Sequence, residues 1–179
     1  MLNKEQAVLV VIDVQGKLAT LMQKSEKLFE NINRMIEGAR ALDIPIVWTE
    51  QIPEKLGETV PEIKKTLDGV ELLKKTTFSC CGGPGFNEKL EQLGRKQILV
   101  TGIETHICVY QTCMDLLEKG FEVHLVKDAT SSRLKHNYKL GVERIKDAGA
   151  VLTSVEMSLF EMQKVAEGDT FKKIIQIVK

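Results

Sequence analysis

The run Ala7-Val-Leu-Val-Val-Ile12 constrains the fold more than any other stretch of the chain. Six apolar residues in a row, most of them β-branched, with no polar alternation, do not suit a half-solvated sheet surface. They predict a strand covered on both faces, and such strands belong to parallel sheets enclosed by helices. The next segment changes period. Leu28, Ile32, Met35, Ile36, Ala39 and Leu42 recur at helical spacing, with Ser25 as candidate N-cap and Pro45 barring continuation. Ile44–Trp48 then reads as a second strand, and the polar stretch 51–66, carrying Pro53, Gly57 and Pro61, as a long excursion outside the core.

The alternation continues to the end of the chain. A strand is expected near Val70–Leu73, and a helix over Phe86–Leu93 after the turn Gly82-Gly83-Pro84-Gly85. Gln97–Ile103 is the next strand, and Ile107, Tyr110, Met114 and Leu117 mark one face of a helix closed by Gly120. Strands follow at Phe121–Val126 and Ala150–Thr153, with helices over Leu140–Ala148, from about Ser154, and from Asp169 onward. Six strands separated by helices imply right-handed crossovers and a three-layer α/β/α domain with a six-stranded parallel sheet. No repeat or linker divides residues 1–179, so a single domain is expected. In such folds ligands lie at the carboxyl ends of the strands.

Composition narrows the function classes. The 25 basic and 25 acidic residues cancel over 179 residues, which argues against a partner that is nucleic acid or an anionic membrane. The longest apolar runs fall well short of the roughly 20 residues of a membrane span. The polar Met1–Gln6 leads straight into a strand, so no signal peptide is expected. Four unevenly spaced cysteines do not form a disulfide framework, and a reducing, cytoplasmic location follows.

The residues at the strand ends carry the candidate chemistry. Asp13 directly follows a strand buried on both faces, which suits either a turn residue or a site carboxylate. Cys108 falls in the first turn of a helix capped by Glu104 or Thr105, where the helix dipole lowers a thiol pKa; the alternative is a small buried hydrophobe. Cys113 fits that alternative better, and Cys80-Cys81 reads as structural or incidental. Lys74 or Lys75 is able to reach a site shared with Asp13 and a cysteine. No G-x-G-x-x-G follows a strand, and the glycine-rich turn lacks the Lys-Ser/Thr of a phosphate loop. His106, His124 and His136 are scattered, with no pair at metal-ligand spacing, so neither metal nor cofactor is expected.

Three segments in register, Val-Ile-Asp13-Val-Gln15, Lys75-Thr-Thr-Phe78-Ser79 and Gly102-Ile-Glu-Thr-His-Ile-Cys108-Val, resemble the isochorismatase-like cysteine hydrolase superfamily. Asp128-Ala-Thr-Ser-Ser-Arg133 and Thr153-Ser-Val-Glu156 extend the similarity over nearly the whole chain. The segment from Thr49 to Ile63 is most similar to the isochorismatase domain-containing branch.

The resemblance implies an Asp13–Lys75–Cys108 triad, with Lys75 preferred over Lys74 because the family lysine precedes the Phe-Ser pair by three residues. It further implies a non-proline cis peptide at Ile103–Glu104, placing the amides of Glu104 and Cys108 as an oxyanion hole. Gln15, Leu18, Trp48, Gln51, Phe78 and Thr105 are the expected substrate contacts, together with Glu104. The reaction implied is hydrolysis of a C–N bond in a small amide or carbamoyl compound through a thioester on Cys108. Nicotinamide-hydrolysing relatives carry a histidine metal site after the second strand, and residues 48–63 contain no histidine. Isochorismate hydrolases lack the nucleophilic cysteine, so Cys108 argues against that chemistry. The competing class is a catalytically silent module kept for binding or assembly. A homo-oligomer is expected, with contacts through the 51–66 excursion and the C-terminal helix.

Overall fold

The computed structural model describes residues 1–179. In chain order the elements are β1 (Ala7–Ile12), α1 (Gly16–Thr20), α2 (Ser25–Ala41), β2 (Ile46–Gln51), α3 (Pro53–Leu56), α4 (Pro61–Lys64), β3 (Leu72–Lys75), α5 (Phe86–Leu93) and β4 (Gln97–Ile103). A π-helical turn, Thr105–Val109, leads into α6 (Tyr110–Glu118), and β5 (Glu122–Ser131), α7 (Lys135–Asp147), β6 (Val151–Thr153), α8 (Val155–Gln163) and α9 (Gly168–Val178) follow. All six strands pair in parallel, in the order β3-β2-β1-β4-β5-β6.

Every residue of β1 is buried, as its unbroken apolar run requires. Alternate side chains enter two cores. Leu9 and Val11 pack with Leu28, Ile32, Met35 and Ile36 of α2 and with Leu159 and Ile174 of α8 and α9. Val8, Val10 and Ile12 pack instead with Phe86 and Leu90 of α5, Leu116 of α6 and Ile145 of α7. Each fully buried aliphatic side chain contributes about 1.5–3 kcal/mol, so β1 alone ties both layers to the sheet.

Several boundaries differ from the sequence reading. β2 starts at Ile46 and runs through Gln51, and β5 continues to Ser131, with a register shift against β4 between Val100 and Gly102. Apolar character fades along Lys127–Ser131, which conceals that extension. Ser25 is the first helical residue of α2; Lys24, at φ 52°, occupies the cap and offers no side-chain bond. α7 begins at Lys135, where a polar turn precedes the apolar face. The 51–66 excursion is not outside the core: Val60 and Ile63, with Leu67 just beyond, are buried in the α2-side core. The short helix α4 and the residue before it turn Ile63 and Val60 inward, whereas α3 buries no residue and leaves Leu56 exposed; both helices are too brief to show a period.

Candidate active site

Strand order reverses between β1 and β4, which places the crevice at their carboxyl ends. Gly102 permits the close approach there. At φ +115° it presses β4 against β1, and a Cβ at that position would stand 2.1 Å from the Ile12 carbonyl oxygen. Asp13 leaves β1 at φ 51°, a left-handed conformation that aspartate tolerates better than most residues. Its amide donates to the Thr49 carbonyl at 3.2 Å.

The Asp13 carboxylate is 96% shielded from solvent by residue area, yet every oxygen has a partner. Oδ1 accepts from Thr49 Oγ1 at 2.7 Å, and Oδ2 accepts from Lys75 Nζ at 2.5 Å. Lys75 spends its other donors on the carbonyls of Thr77 and Phe78, both at 3.0 Å, which fills all three ammonium protons. Lys74, its neighbour in β3, is exposed, because alternate strand positions face opposite ways. The Cys108 thiol donates to Gln51 Oε1 at 3.3 Å, and the Asp13 carboxylate is near enough to raise the thiol pKa. Acid, ammonium and thiol therefore meet in one buried cluster.

Electrostatics at the cluster differ from the expectation for a helix N-terminus. Burial pushes the Cys108 thiol pKa up, and the Asp13 carboxylate raises it further, against a smaller lowering by Lys75. The helix-end field does not overcome desolvation plus a neighbouring anion. Burial likewise raises the Asp13 pKa, with Lys75 opposing. The resting proton accordingly belongs on sulfur or is shared with the carboxylate.

The Ile103–Glu104 peptide is cis. The Glu104 amide donates to no backbone acceptor, and its carboxylate accepts from the Arg133 amide and from Arg133 Nε, both at 3.0 Å. Thr105, next in the chain, is fully buried, and its hydroxyl has no partner. Phe78 is 52% exposed beside the Lys75 anchor. Leu18 packs half-buried against the α2-side core.

Two expected substrate contacts are corrected. Trp48 packs into the α2-side core and donates from Nε1 to the Val70 carbonyl at 3.1 Å, because Val47, Thr49 and Gln51 take the other face of β2. Gln15 is fully buried, and its amide is spent on the chain itself. It donates to the carbonyls of Gln51 at 3.1 Å and Gly57 at 2.7 Å, and accepts from the Gln51 amide at 2.7 Å.

Sequence reasoning missed Thr49 and Cys80. Thr49 pairs with Ile12 in the sheet register, a relation visible only once the strands are aligned. Its hydroxyl also lies 3.7 Å from Cys80 Sγ, a buried thiol pushed up to about 12 by desolvation and by Asp13. Cys80, read from the sequence as structural or incidental, is therefore a buried structural thiol at the back wall of the cluster. Its position five residues after Lys75 was the available signal. No group of three or more His, Cys, Asp or Glu side chains is placed to hold a metal ion.

Strand order, sheet polarity and helix placement define an isochorismatase-fold protein. A family model described as Isochorismatase domain matches residues 7–157, and the chain belongs to that family of hydrolases. A secreted isochorismatase effector, Isc1, of Phytophthora sojae is 39% identical over 97% of this chain and 84% of its own. Isochorismatase domain-containing protein 2 of Rattus norvegicus is 35% identical over 98% of this chain and 82% of its own. The solved structure described as MAR1 ribonuclease from Caenorhabditis elegans superposes with a TM-score of 0.93 at 34% identity, covering 99% of this chain and 91% of that one.

Proposed function

We propose that the protein is a cysteine-dependent hydrolase that cleaves a C–N bond of a small amide or carbamoyl compound through a thioester on Cys108. The observation that carries this reading is the buried Asp13 carboxylate, held by Lys75 at 2.5 Å and near enough to the Cys108 thiol to raise its pKa. A base of this kind compensates for a thiol that burial keeps protonated.

The proposed sequence begins with Asp13 accepting the Cys108 proton as sulfur attacks the carbonyl carbon. The oxyanion that forms is stabilised by the amides of Glu104 and Cys108, where each donor is worth about 2.7–4 kcal/mol in comparable sites. Protonated Asp13 then gives its proton to the departing nitrogen, the C–N bond breaks and a thioester remains. Water, deprotonated by the Asp13 carboxylate, attacks the thioester; the acid leaves and the proton returns to sulfur. Lys75 holds Asp13 in place throughout and stays protonated. Gln51 and the unpartnered Thr105 hydroxyl are the polar groups available to orient substrate, with Phe78 as an apolar wall.

Ammonia release from a panel of small amides, ureas and carbamates tests the proposal, with Cys108→Ala as blank and a single-stranded RNA as an additional arm. Turnover confined to the C–N panel and absent from the variant supports it. No turnover, or RNA cleavage that survives in Cys108→Ala, overturns it.

One domain over residues 1–179, a cytoplasmic setting and self-association complete the proposed reading. No helix is long and apolar enough to cross a membrane, and all four cysteines are free thiols, which suits a reducing compartment. Leu134, Leu140 and Met157 are apolar side chains more than half exposed, at 53%, 55% and 61%, and lie outside the 51–66 excursion and the C-terminal helix where contacts are expected. Light scattering reads self-association directly.

A further inference from the structure

We infer that a groove separate from the triad is a binding site for a small molecule carrying a chain of two or three phosphates. The groove encloses about 780 Å³ between the start of α2, the carboxyl half of β5 and one face of α7. That volume is the size of a small-molecule site and too confined for a folded partner.

Its walls are basic. Lys24 and Lys27 enter from the α2 side, Lys127 from β5, and Lys135, Lys139 and Lys146 from α7. The α7 residues fall four and seven apart, so they share one helix face. Against these six ammonium groups the lining holds two carboxylates, Asp128 and Glu143, a surplus of four positive charges in a chain whose total is zero. Asp128 is already engaged, its Oδ1 accepting the Val155 amide at 2.9 Å. Lys27 is ion-paired with Glu30 at 2.8 Å, and none of the other five lysines is ion-paired.

Concentrating like charges around a concavity costs folding free energy and raises the local anion concentration. A surface serving only solubility would scatter them. The floor is polar but engaged with the chain itself: Asn31 Nδ2, Thr130 Oγ1 and Ser131 Oγ donate to the carbonyls of Asp128, Lys127 and Gln23, so the lysines carry the recognition. Flexible ammonium groups bind phosphate oxygens as point charges, a mode that needs no planar guanidinium fork, and the groove holds six lysines and no arginine. A linked row of phosphates matches a surplus of four charges more closely than one phosphate does.

Titration calorimetry of the full chain with inorganic tripolyphosphate tests the inference. We expect one-to-one binding that weakens as salt rises. Exchange of the exposed pair Lys135→Glu and Lys139→Glu is expected to weaken it by about tenfold or more, while Lys173→Glu on α9 leaves it unchanged. Lys135→Gln with Lys139→Gln serves if the charge reversal does not fold, with intermediate weakening expected. Cys108→Ala is expected to bind as the parent does, which separates this site from the proposed catalytic cluster. Absence of binding overturns the inference, as does equal loss in Lys173→Glu. Tight binding of a single-stranded RNA that tripolyphosphate fails to displace also overturns it, in favour of a polymer track.

Discussion

Gln15 and Gln51 clasp each other through two hydrogen bonds, the Gln51 amide to Gln15 Oε1 at 2.7 Å and Gln15 Nε2 to the Gln51 carbonyl at 3.1 Å. The clasp fixes the end of β2, and so fixes the Gln51 side chain that accepts from the Cys108 thiol. Gln15 also reaches the Gly57 carbonyl, tying the turn after α3 to the same point. We expect Gln15→Ala to leave buried backbone groups unsatisfied, at a cost of about 1–3 kcal/mol each. The loss in kcat/KM should exceed any change in overall secondary structure. Chemical denaturation beside steady-state kinetics checks both.

The Asp13–Lys75 pair makes an asymmetric prediction. Removing one partner of a buried ion pair leaves an uncompensated charge and typically costs about 3–5 kcal/mol. Lys75→Met should therefore lower stability and remove activity. Lys75→Arg should also fail, because a forked guanidinium does not place one donor each on Asp13, Thr77 and Phe78. Thermal unfolding of both variants decides this.

The pH profile follows from the two raised pKa values. Burial lifts Asp13 above its ordinary 3.8, so on acidification the carboxylate gains its proton, and activity falls, at a higher pH than for an exposed aspartate. Burial and Asp13 lift Cys108 above the ordinary 9.0, so the second proton of the coupled pair is lost only in strongly alkaline solution. We expect kcat/KM to hold a broad plateau between an acid limb above 3.8 and an alkaline limb above 9.0. An alkaline limb below the ordinary thiol value would mean that the thiol is activated by another route.

The sequence made the layers legible because β1 and β4 are apolar along their whole length and α2 keeps a clean helical face. Asp13 and Cys108 stood out because each follows a strand where the chain meets the crevice; the choice of Lys75 over Lys74, and the grouping of the three, came from the family resemblance. Trp48 read as a pocket residue because the second strand was expected to end there; β2 runs on to Gln51, and the register turns Trp48 to the α2 side. Thr49, Cys80 and the Gln15–Gln51 clasp depend on pairing between distant segments, and no local pattern encodes that pairing. The thiol pKa was misjudged for a related reason: a helix terminus is visible in sequence, whereas burial beside Asp13 is not.

Gly102 offers a stability test independent of chemistry. Its φ of +115° lies outside the regions that L side chains favour, and a Cβ would meet the Ile12 backbone at 2.1 Å. Gly102→Ala should destabilise the protein by more than the roughly 1–3 kcal/mol of the backbone strain alone, since β1 and β4 must also part. Equilibrium urea unfolding measures the difference.

Intact-protein mass spectrometry during turnover of an active C–N substrate tests the central claim most directly. The account predicts a transient acyl adduct on Cys108 that decays as acid product forms, with neither adduct nor product in Cys108→Ala. Full turnover by Cys108→Ala, or product formation with the acyl group on a residue other than Cys108, would contradict it.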